Sequence, residues 1–170
     1  MKTKSILLIL SLFFLCGNNN AHAQNKPEDF ATFLNKFTAS ASFQYSRVKF
    51  PLESPIVLLN EKEEEVEFPF TKERWVLLGA DLFKEERVEV EEGMMYVSHY
   101  VVNEADIKEF EAGYEESELD LRVVFQLIDG KWYATDCYTL WYSFDLSVEE
   151  FQEAAQQVGE ENKVFIQEHP

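Results

Sequence analysis

The amino-acid sequence predicts an α+β fold in which a curved antiparallel sheet wraps around helices packed on one of its faces. Three features carry that expectation. Phe30, Phe33, Leu34 and Phe37 fall at i, i+3, i+4 and i+7, a single apolar stripe along a helix. Two long apolar-rich segments, 118–128 and 131–142, are joined by Asp129-Gly130, which supplies the positive φ angles of a two-residue type I′ turn. Ser147-Val148-Glu149-Glu150 spells a capping box that opens a last helix. Helices at both ends of a run of strands suit a sheet covered on one side.

The chain begins with a stretch read as an export leader. Lys2 and Lys4 form a basic start, and Ile6 to Cys16 is apolar apart from Ser11, too short to cross a bilayer as an anchor. Ala21-His22-Ala23 offers small residues for cleavage before Gln24. Lipid attachment at Cys16 is disfavoured, because Leu15 stands where a small residue belongs, behind Phe13 and Phe14. The expected division is a signal peptide over 1–23 and a single α+β roll domain over 24–170. The domain would be exported to the periplasm or the cell exterior, with no membrane insertion after the leader is removed. Cys137 is then the one remaining cysteine, so no internal disulfide is expected.

Within the domain, a helix is expected from Pro27 to Phe37, with Pro27 at its first position. Phe43 to Leu52 reads as a short helical turn leading into a strand that Pro51 and Pro55 hold at an edge or end. Segments 56–59 and 66–70 flank the acidic loop Glu61 to Glu65 as a hairpin. That loop lacks the spacing and turn glycine of a calcium loop, so it reads as solvated surface. Lys72 to Phe83 is expected to be helical, with Trp75, Leu78 and Leu82 on one side. Arg87–Val90 and Met94–Val102 form a hairpin around Glu91-Glu92-Gly93, and 103–116 reads as an acidic connection. The last helix is expected to run to about Val158 and stop at Gly159.

Composition excludes some functions. The 32 acidic against 15 basic side chains give a net charge of −17, and loss of Lys2 and Lys4 would deepen it. Such a surface repels phosphate backbones, so nucleic acid is not an expected partner. The stretch FQYSRVKFPL, residues 43–52, interleaves Phe43, Tyr45 and Phe50 with Arg47 and Lys49. Two cations cannot reverse the overall field. Phe43 and Phe50 are expected to anchor a helix-to-strand junction, and Arg47 to pair with an acidic neighbour. With 15 Phe, 7 Tyr and 3 Trp, stability is expected from an aromatic core, with room for a lined cavity.

Phe43-Gln44, Arg47 and Phe50-Pro51-Leu52 resemble the signature of an exported Bacteroidetes family, domain of unknown function 4348. That resemblance implies the nuclear transport factor 2-like, or cystatin-like, roll, and it implies no particular reaction.

The Asp129-Gly130 turn predicts a register for the hairpin. Uninterrupted pairing sets Leu127 opposite Trp132, Phe125 opposite Ala134, Val123 opposite Asp136 and Leu121 opposite Tyr138. Side chains alternate, so these residues share one apolar face. Trp132, Asp136, Tyr138 and Phe125 are therefore the expected lining of an interior ligand pocket. Asp136, with Tyr138 or Tyr142 as hydrogen-bond donor, is the candidate acid/base. The competing expectation makes Asp136 a structural acceptor, since buried polar groups are generally paired. His99 is expected among apolar neighbours at a core or interface, Cys137 as a structural thiol, and Trp141 on the outer sheet face at a subunit contact. No Cys/His cluster suggests a metal, and no cofactor is expected.

The leading expectation is a non-catalytic exported domain that binds a small apolar ligand or a protein partner through the roll. The resemblance to the roll superfamily, some of whose members use a carboxylate in the cone as a general base, implies the alternative: a cofactor-free isomerase, dehydratase or hydrolase using Asp136. A structural homodimerisation module is the third.

Overall fold

The computed structural model describes residues 26–90 and 93–170. The expected leader, its cleavage site and Cys16 lie outside the described residues, as do Glu91 and Glu92.

Helix α1 spans Phe30–Ala39 and α2 spans Ala41–Ser46. Asp29, not Pro27, begins α1, because its carboxylate accepts from the Thr32 amide and caps the first turn. Strands β1 (Ile56–Leu59) and β2 (Glu65–Phe68) pair as the expected hairpin. The main sheet is a five-stranded antiparallel meander of β3 (Glu86–Glu89), β4 (Met95–Asn103), β5 (Ile107–Tyr114), β6 (Leu119–Ile128) and β7 (Lys131–Thr139). The expected acidic connection is therefore a strand, β5. Phe110, Ala112 and Gly113 are the buried residues of that strand, and its intervening glutamates face outward, so its alternation is faint in sequence.

One face of the sheet packs on the helices. Phe30 of α1 meets the rings of Tyr100, Phe125 and Trp132, while Phe37 packs edge-on against Phe125 and Trp75. Phe33, Phe37, Phe110, Phe125, Trp75 and Trp132 are all fully buried. These rings pack on one another, so Phe125 and Trp132, expected to line an interior pocket, are core side chains among the described residues.

Residues 72–83 depart from the expected helix. A 3-10 turn at Lys72–Arg74 and another at Ala80–Phe83 bracket an extended segment. Its backbone is buried between two helices, and two side-chain amides replace helical hydrogen bonds. Gln44 of α2 accepts from the Leu78 amide and donates to the Leu78 carbonyl. From the last helix, Asn162 accepts from the Leu77 amide and donates to the Trp75 carbonyl. Buried backbone groups need partners, and this segment finds them on side chains. Neither amide is predictable from the local pattern.

Helix α3 runs Val148–Glu168, opened by the expected capping box on Ser147 and Glu150. It passes through Gly159 without stopping. Phe151, Val158 and Asn162 are buried on either side, and that burial outweighs the roughly 1 kcal/mol disfavour of an interior glycine.

The FQYSRVKFPL stretch covers the β7 edge. Ala134 donates to the Arg47 carbonyl, Lys49 donates to the Ala134 carbonyl and Glu53 donates to the Thr135 carbonyl. Pairing of this kind protects an edge strand from other chains. Arg47 bonds Glu28 through both terminal guanidinium nitrogens and lies over the Phe43 ring, and Lys49 lies over Tyr133. The aromatics and cations of this stretch serve each other. Phe50 is half-buried against Trp75, so it anchors the junction less deeply than expected.

Candidate functional site

Two β-bulges decide where the polar side chains point. The Asp129-Gly130 turn has the expected geometry, φ 51° and 77°, and pairing follows the expected register as far as Phe125 opposite Ala134. Thr135 is then an extra residue: Val124 pairs with Asp136, Val123 with Cys137 and Arg122 with Tyr138. A one-residue slip exchanges the faces of everything beyond it.

Cys137 and Thr139, not Asp136 and Tyr138, face the interior. Cys137 is buried, and the loss of hydration pushes its thiol well up, against reactivity. Asp136 lies on the opposite face, beneath the covering segment. Its Oδ2 accepts from Arg122 Nη1 at 2.8 Å and from Ser54 Oγ at 3.0 Å, and its Oδ1 accepts from the Ser54 amide at 3.1 Å. Arg122 also holds Glu109. Asp136 thus belongs to a charge network that ties β5, β6 and β7 to residue 54, with both oxygens engaged. Tyr142 does not reach it; its hydroxyl donates to the Arg74 carbonyl. His99 is exposed on the outer face, paired across the sheet with Glu111.

The second bulge builds a different site. Ala112 pairs with Leu121 and Gly113 with Leu119, leaving Asp120 as the extra residue of β6. A Cβ on Gly113 would lie 3.1 Å from the Asp120 amide nitrogen and 3.1 Å from the Glu118 carbonyl, so the close approach of these strands requires glycine. The bulge turns Asp120 into a groove at the sheet end, a common use of bulges.

That groove has a volume of about 450 Å³. Val76 and Leu78 of the extended segment form one wall, and Leu82 its rim. Ala112 and Leu121 form the floor, and Leu140 and Trp141 close the far side. Leu82 and Leu140 are exposed at 43% and 46%, so the rim presents apolar surface to solvent. Trp141 sits here, in the 3-10 turn Leu140–Tyr142, because β7 ends at Thr139; it is not on the outer sheet face. Tyr96 and Asp120, neighbours of each other, and Thr139 are its polar groups. Burial raises the Asp120 carboxyl above its ordinary range, and the neighbouring Tyr96 hydroxyl draws it partly back. Burial likewise raises the Tyr96 phenol, with help from the charges of Asp120 and Glu86.

No histidine, cysteine or serine lines this groove. It offers apolar contact over most of a small molecule and a few hydrogen-bonding groups. Among the described residues, no group of three or more His, Cys, Asp or Glu is placed to hold a metal ion. No described helix is long and apolar enough to cross a membrane. Sequence reasoning missed Asp120, although Gly113 inside a strand was an available signal of a bulge.

A protein-family model matches residues 28–166. The chain is 57% identical to a crystal structure described as a cystatin-like protein from Bacteroides caccae, over 86% of this chain and 98% of that one, with a TM-score of 0.83. It is 61% identical to a Bacteroides uniformis protein solved by NMR, over 85% of this chain and 99% of that one, with a TM-score of 0.80. A Bacteroides ovatus protein, also solved by NMR, is 57% identical over 85% of this chain and 95% of its own, again with a TM-score of 0.80. No curated protein matches the chain.

Proposed function

Because the chain belongs to a family of cystatin-like domains with solved relatives from Bacteroides species, we propose that it is an exported, non-catalytic binding domain that takes a small apolar molecule into the groove beside Tyr96, Asp120 and Trp141. The groove itself carries this reading. It is preformed, mostly apolar, of small-molecule size and supplied with a few polar groups, the usual anatomy of a ligand site. Asp136 supports the non-catalytic half, because Arg122 and Ser54 occupy both of its oxygens.

Export rests on the leader pattern of residues 1–23, and the single domain on the one apolar core that follows it. The FQYSRVKFPL signature supports the narrower placement in domain of unknown function 4348.

Titration with 1-naphthalenemethanol, followed by NMR, tests the binding site. Amide shifts are expected at Val76, Leu121 and Leu140–Trp141, and Leu140→Glu at the exposed rim is expected to weaken them at least about tenfold, or about 1.4 kcal/mol. Shifts scattered over the surface, or none, would contradict the reading.

A further inference from the structure

The groove has a chemical bias beyond being apolar. Of the ten residues that line it, one is acidic and none is basic. The carboxylate of Asp120 is half-buried there, with the Tyr96 hydroxyl as its neighbour. A further charge reinforces it: Glu86 acts on Tyr96 as Asp120 does. Two cations on segments adjoining the groove residues Leu82 and Tyr96 are already paired. Lys84 pairs with Asp81, and Arg87 pairs with Glu115 at 2.5 Å. The whole chain carries a net charge of −17, which draws cations toward the surface and repels anions.

Two aromatic side chains, Tyr96 and Trp141, line the same groove as Asp120. An aromatic face attracts a cation through its quadrupole, most strongly for tryptophan, and the attraction grows when water is excluded. A partly desolvated carboxylate is stabilised when a cation replaces its lost hydration. Apolar walls complete the set.

We propose that the ligand of this groove is an organic cation, an apolar amine whose ammonium sits between Asp120 and the rings of Tyr96 and Trp141 while its hydrocarbon part lies on Val76, Leu78, Leu121 and Leu140. This rests on the reading of the groove as the ligand site and adds the charge of the head group. A neutral ligand would leave the Asp120 charge partly desolvated and uncompensated. An anionic ligand would add repulsion to that cost. Binding is therefore selective for charge first and for shape second.

Three probes with the same ring system separate the possibilities: 1-naphthylmethylamine, 1-naphthalenemethanol and 1-naphthoate. Calorimetric titration at low salt is expected to rank the amine at least about tenfold tighter than the alcohol, with naphthoate weakest. The ratio of amine to alcohol should fall toward one in Asp120→Asn, and fall partway in Trp141→Leu, with thermal melts establishing that both variants fold. Raising the salt should narrow the ratio as well. Equal affinity for amine and alcohol, or a preference for naphthoate, overturns the cationic ligand while leaving the groove as an apolar site. Failure of all three probes overturns both. An unchanged ratio in a folded Asp120→Asn variant also overturns the proposal.

Discussion

Arg122 donates to Asp136 at 2.8 Å across neighbouring strands, on the face of the sheet opposite the core. The pair exists because Thr135 bulges out of register and sends Asp136 to the side on which Arg122 already lies. Ser54 completes the carboxylate's shell from the segment that covers the β7 edge. Asp136→Ala would leave Arg122 short of a partner and release residue 54. A loss of about 1.5–3 kcal/mol is expected, read from the urea midpoint, because hydrogen bonds to charged groups fall in that range. An unchanged midpoint would show that the network contributes nothing.

Gln44 is fully buried and makes four hydrogen bonds: to the Phe37 and Leu78 carbonyls, from the Trp75 indole and from the Leu78 amide. Gln44→Ala strands all four groups in the core. Each orphaned group costs about 1–3 kcal/mol, so a loss of at least about 3 kcal/mol is expected in chemical denaturation. The groove wall at Val76 and Leu78 should loosen with it, visible as faster amide exchange at Leu78. Slow exchange retained in the variant would contradict this.

Glu28 gives a pH signature. Burial raises its carboxyl, but hydrogen bonds from Arg47 and the Trp132 amide, and the charges of Arg47 and Lys36, outweigh that and hold it below its ordinary range. A depressed folded value means stability that is fully present above the unfolded value of about 4.3 and is lost as pH falls through the folded one. Glu28→Gln should therefore lower stability at pH 7 by about 1.5–3 kcal/mol. The gap to the parent should close at more acidic pH. A constant gap down to pH 2 would show that Glu28 acts through shape alone.

Gly159 sits inside α3, and a Cβ placed there meets nothing within 4 Å. Gly159→Ala should stabilise the protein by about 0.4–1 kcal/mol, chiefly by restricting the unfolded chain. A lower melting temperature would mean that the helix is distorted at that point.

Elements with strong local chemistry were legible in sequence. The Phe30–Phe37 stripe, the Asp129-Gly130 turn and the Ser147 capping box each carry their own instruction, and each forms. What failed depended on distant partners. The segment 75–79 is extended because Gln44 and Asn162 reach it from two helices, and α3 continues past Gly159 because its flanking turns are buried. The candidate site failed for the same kind of reason. Four pairs beyond the turn were read correctly, and the Thr135 bulge then reversed the faces of Asp136, Cys137 and Tyr138. No residue in Ala134-Thr135-Asp136 announces a bulge; Glu53 and Ser54, far away in sequence, take up its carbonyl and the next carboxylate. The Asp120 bulge did leave a trace, in Gly113. Arg47 was read correctly as an ion-pair partner, since an isolated cation in so acidic a chain has many carboxylates to meet.

The most direct test of the account is a crystal structure of the protein soaked with 1-naphthylmethylamine. The account predicts density for the naphthyl ring against Val76, Leu121 and Leu140, with the amine nitrogen within about 3.2 Å of an Asp120 oxygen, a hydrogen-bonded approach. Density beside Asp136, with Arg122 displaced from it, would contradict the account.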